Sequence, residues 1–165
     1  MDDFLRRRIE FILNEAKFQS KKDKSITFTM RVLSNYASVG RDGESKSIKE
    51  LNKCISKAAW EKLKNSNSFN DWLDNLINEH QMPLKQTWQW LLQNSNLLDI
   101  ESIWNHFKLY PMVTVLKDEN IRLNSKGNRS NGSPIQRYKD AEIEIVKLIY
   151  SPKDAWKNKS FDLVN

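Results

Sequence analysis

The segment MVTVL, residues 112–116, decides the fold class, because it is short, β-branched and follows Pro111 after a long stretch patterned only for helices. Valine and threonine lose side-chain freedom in a helix and pack well on a pleated surface, so a strand is expected there. A second strand is expected in IEIVKLI, residues 143–149, where Ile143, Ile145, Lys147 and Ile149 alternate with Glu144, Val146 and Leu148. Between the two, Ser133, Pro134 and Gln136 supply a helix N-cap, a first-turn proline and a capping-box partner, which predicts a short helix from Pro134. Residues 117–123 fit either the turn and second arm of a hairpin or a short helix.

Working outward, the preceding residues carry apolar side chains at spacings of three and four. Leu5, Ile9, Ile12, Leu13 and Ala16 predict an amphipathic helix opened by Asp2 and Asp3. Ser47 with Glu50 is a capping-box signal for a helix running toward Leu63, and Ser56 can restart it, giving two short helices like a helix-turn-helix. Ser68 with Asp71 opens a helix through Trp72, Leu76 and His80; Pro83 precedes one through Trp88 and Leu91; Asp99 starts a third through Ile103 and Trp104. On their common spacing, these three helices are expected to share one core. Ser25–Val32 alternates Ile26, Phe28, Met30 and Val32 with polar residues, which predicts a strand, although Ile26, Met30, Leu33 and Ala37 also fit a helix.

The expectation is therefore a helix-rich α+β fold. A helical bundle fills the N-terminal two thirds, and a small sheet comes mainly from the C-terminal third. A chain of 165 residues fits a single domain, 1–165, with 1–110 mainly helical, 111–150 holding strand, loop, helix and strand, and 151–165 a peripheral tail anchored by Trp156. Leu, Ile, Val and Phe exceed a quarter of the residues, enough to build a core. One cysteine, Cys54, excludes an internal disulfide framework and suits a reducing compartment. The opening MDDFLRRRIEF has neither signal nor transit character, and no run approaches membrane-spanning length, so a cytoplasmic protein without membrane contact is expected.

The net charge is +6, with residues 1–50 and 111–165 contributing +3 each and the middle none. Between Ile121 and Lys139 five cations occur without a carboxylate. Arg122, Lys126, Arg129, Arg137 and Lys139, with Tyr138 as a stacking or hydrogen-bonding partner, are the candidate nucleic-acid contacts, DNA or RNA. The alternative is a small protein-interaction module, marked by an apolar surface patch. A metal-dependent nuclease using Glu142 and Glu144 is disfavoured, because Lys147 is misplaced for the usual acid–spacer–lysine arrangement. No catalytic residue, metal ligand or cofactor is assigned. His80 and His106 lie at helix edges in this reading, and Arg6, Arg7 and Arg8 spread around their helix as a solvated face.

Overall fold

The computed structural model describes residues 1–125 and 133–164. Among these the order is α1 (Asp3–Lys17), α2 (Lys24–Val39), α3 (Ser45–Leu51), β1 (Cys54–Ser56), α4 (Lys57–Asn65), α5 (Phe69–Asp74), β2 (Leu76–His80), α6 (Leu84–Asn94), α7 (Ile100–Leu109), β3 (Met112–Leu116), α8 (Lys117–Ser125), α9 (Pro134–Asp140), β4 (Ile145–Lys147) and α10 (Pro152–Asn158). The fold is α+β and helix-rich, as expected.

Four helices, α1, α2, α6 and α7, make an apolar bundle around Ile9, Ile12, Met30, Leu33, Trp88, Leu91, Ile103 and Phe107. The strands form one mixed sheet in the order β2-β3-β1-β4, with β3 parallel to β1 and the other pairs antiparallel. Because side chains alternate across a strand, the sheet has two different faces. Ile55, Leu76 and Leu148 meet α4 and α5 through Ala59, Leu63 and Trp72, with Trp156 of α10 at the margin. Val113 and Val115 meet α8 and α9 through Leu123, Tyr138 and Ala141.

Several expectations change. Residues 25–33 are helical: Asp23 caps α2 by accepting from the Ile26 N–H at 2.8 Å, and Gly40 ends it in the left-handed region at φ 76°. Fixed caps at both ends let the Ile26–Met30–Leu33 stripe outweigh the local alternation. The helix through Trp72 stops at Asp74, and Leu76–His80 becomes β2, paired over five residues with β3. Trp72 and Leu76 therefore leave the bundle for the sheet, and the expected single core is two. Trp88, Leu91 and Ile103 lie in the bundle with the half-buried Trp104 packed against them. Ser47 does not cap a helix; α3 begins two residues earlier, and the Ser47 hydroxyl donates to the Glu44 carbonyl. Ser56 does cap α4, but β1 precedes it, so no helix-turn-helix forms. Residues 117–125 resolve as helix rather than hairpin.

Candidate functional site

At the outer edge of the sheet β2 ends in Glu79 and His80, and α9 brings Arg137 against them. Ser133 caps α9 by accepting from the Gln136 N–H at 3.2 Å, and Pro134 occupies its first turn, so the helix places Arg137 inward. Its side chain is 1% exposed. Nη2 donates to Glu79 Oε1 at 2.5 Å and Nη1 to the His80 carbonyl at 3.1 Å, while Nε has no partner among the described residues. Burying such a pair costs solvation that its attraction roughly offsets, so its presence inside an apolar layer is better explained by orientation than by stability.

His80 is half-buried, yet its Nε2 is sealed from water and has no partner among the described residues. Burial, reinforced by the cations of Arg31 and Arg137, holds the imidazole down at about 4, so it is neutral at pH 7. The Tyr138 hydroxyl is buried without a partner among the described residues, and burial together with the Glu79 charge pushes its pKa well above the tyrosine range. Nearby, Ser56 donates to the buried Glu119 carboxylate at 2.5 Å, which also accepts the Leu116 N–H. Burial raises the Cys54 thiol above its ordinary value, an unreactive setting.

In front of this edge lies the exposed face of α2. Lys24, Phe28, Arg31 and Asn35 are spaced four, three and four residues apart and so form one stripe. Two cavities meet at Arg31, Glu79 and His80: a larger one of about 520 Å³ that adds Phe28, Asn35 and Asp42, and a smaller one of about 280 Å³ that adds Lys22, Pro83 and Lys85. Phe28 is 55% exposed, with the Arg8 guanidinium 5.6 Å from its ring centre and 5.1 Å from that of Phe4. Among the described residues, no carboxylate comes within 4 Å of Lys22, Lys24, Arg31 or Lys85. The groove therefore carries more cations than carboxylates, Lys22, Lys24, Arg31 and Lys85 against Asp23, Asp42 and the Arg137-paired Glu79, beside an exposed aromatic ring.

The residues singled out from the sequence are not brought together as one surface. Arg137 and Tyr138 are buried. Arg122 is tied to its own helix through Asp118 at 3.5 Å and Glu119 at 4.0 Å, and its Nε donates to the Ala141 carbonyl. Lys139 is exposed. Lys126 and Arg129 lie outside the described residues. Glu144 pairs with Lys57 at 2.8 Å. Among the described residues no group of three His, Cys, Asp or Glu side chains converges to hold a metal ion, and no helix is long and apolar enough to cross a membrane. The α2 stripe was missed because a strand reading places Phe28 and Arg31 on opposite faces. Its signal was the helical spacing from Lys24 to Asn35.

Comparison with known proteins gives no relative: no family model, no curated protein and no solved structure matches the chain. Function must therefore be argued from the site.

Proposed function

We propose that the chain is a nucleic-acid-binding module that holds a single strand along α2, phosphates on Lys22, Lys24, Arg31 and Lys85 and bases against Phe28. The observation that carries this reading is the Lys24–Phe28–Arg31–Asn35 stripe, where cations without carboxylate partners flank an exposed aromatic ring. A flexible strand needs this combination, since every base has a face to stack and every phosphate a charge to neutralise. The buried Glu79–Arg137 pair serves as the support that fixes the β2 edge behind Arg31.

The test is fluorescence anisotropy with labelled single-stranded and duplex DNA and RNA over a salt series. Arg31→Ala should weaken binding and lower the log–log salt slope by about one unit, because one fewer phosphate contact releases counterions. Phe28→Ala should cost about 1–3 kcal/mol on single strands and leave the slope unchanged. Absence of binding at low salt by the folded protein would remove the reading. It would turn attention to the interaction-module alternative, for which Ile135, 82% exposed beside Ile145 at the sheet margin, is one apolar feature.

A further inference from the structure

We infer that the larger cavity beside Arg31 reads one base of the bound strand and selects guanine, with the Asp42 carboxylate accepting from the base edge and Phe28 covering the ring. The inference rests on the single-strand reading above and gives it a specificity.

A volume of about 520 Å³ falls within the range of sites that enclose small organic groups. The cavity has an apolar floor of Val32, Ile48 and Met112, all buried. Polar groups stand on its rim, and most are already committed. The Asn78 amide donates to the Ser45 carbonyl at 3.1 Å and its oxygen accepts from Thr114 at 3.0 Å, so Asn78 has little left for a ligand. Asn35 Nδ2 donates to Asp42 Oδ1 at 2.6 Å. This bond orients the carboxylate without exhausting it, since an ionised carboxylate has about four acceptor positions. Among the described residues no cation lies within 4 Å of Asp42.

The loop that carries Asp42 is geometrically constrained. Gly40 turns the chain out of α2 in the left-handed region, and a Cβ on Gly43 would lie 2.6 Å from Ser47 Oγ. Such a turn brings Asp42 to the cavity that Phe28 and Arg31 also line. A carboxylate offers two adjacent acceptors and no donor. Guanine carries two adjacent donors, N1–H and N2–H, on its pairing edge; adenine and cytosine place a ring acceptor beside their amino group, and uracil flanks its one N–H with carbonyls. Those acceptors would face the carboxylate and be repelled, so discrimination comes from rejection as much as from fit.

The experiment uses labelled ten-nucleotide uridine tracts whose central residue is replaced by G, A or C, titrated by anisotropy. The G-containing tract should bind about tenfold more tightly than the other two, the size expected for one bidentate contact. Asp42→Asn, at an exposed position, should remove that preference, both by weakening the G-containing tract and by relieving the rejection of the uridine-only tract, with the urea midpoint unchanged. Equal binding of the three tracts by the natural chain overturns the inference, as does a guanine preference that survives in Asp42→Asn. Binding without base preference overturns this inference alone; no binding of any oligonucleotide overturns it together with the function it rests on.

Discussion

Between α1, α2, α6 and α7 the enclosed side chains are aliphatic and aromatic, and the buried polar groups, such as Thr29, Ser34 and Thr87, are neutral hydroxyls. Across the sheet, α8 and α9 enclose Glu119 and Arg137, and Ser56 is buried against Glu119. The two regions fold by different rules. An apolar bundle accepts many packings of the right volume, whereas a layer containing charges is satisfied only when each partner arrives at one position. The groove proposed to bind nucleic acid runs along the border, with a bundle helix as one wall and the charged sheet edge as the other.

Truncation tests the bundle half most severely. Trp88→Ala removes a side chain 4% exposed from the cluster of Leu91, Ile103 and Phe107 and should cost about 3–5 kcal/mol, read as a large fall in the urea midpoint. An unchanged midpoint would mean that the bundle is not the main apolar store. Arg137→Met strands Glu79 and should cost about 3 kcal/mol, at the lower end for a broken buried pair because Glu79 keeps some water contact. The double variant Glu79→Leu, Arg137→Met should recover most of that stability. If it also retained full binding, the pair would have no orienting role and the contrast would collapse.

Acid should act on both regions through one histidine in each. Burial depresses His80 at the sheet edge and His106, stacked 4.0 Å from Trp90 in the bundle, to about 4 each. Below the unfolded value near 6.5 the unfolded chain binds protons that the folded one refuses, so stability present above that pH is lost as the pH falls toward 4. For His80 the loss should be about 3 kcal/mol. His106→Phe keeps an aromatic stack and should remove the bundle's share of the pH dependence, and His80→Gln should remove that of the sheet; a pH profile unchanged in both would show that neither ring is held neutral. The smallest effect is expected at Cys54→Ala. The half-buried thiol sits at the margin of the cluster around Val113 and Val115 with the Gln81 amide 3.9 Å away, so stability should change by less than about 1 kcal/mol and binding should not change. A folded Cys54→Ala protein that no longer binds would give the thiol a role.

The bundle was more legible than the sheet side, for a physical reason. Apolar spacing repeats within a helix, so α1, α6 and α7 can be read from neighbours three and four positions apart. β2 cannot be read that way, because LINEH continues the helical spacing of Trp72 and Leu73 and becomes a strand only through pairing with MVTVL. Arg137 was visible as a cation in an acid-free run. Its burial was not, because its partner Glu79 lies 58 residues earlier and no local pattern links them. The cations on α2 failed to register as a site since they stand out only after residues 25–33 are known to be helical.

The parallel pairing of β1 with β3, Ile55 to Thr114, has a kinetic consequence. Everything from α4 to α7 lies between those partners, so the centre of the sheet cannot close until that whole segment has been made and brought back. Loop closure over such a distance slows folding relative to an all-helical chain of equal length. During synthesis, α1 and α2 leave the ribosome long before α6 and α7 exist to cover Ile9, Ile12 and Met30. The nascent chain therefore carries an uncovered greasy hairpin through much of its translation, and hydrogen exchange pulsed during refolding should find the amides of β2 and β3 protected later than those of α1.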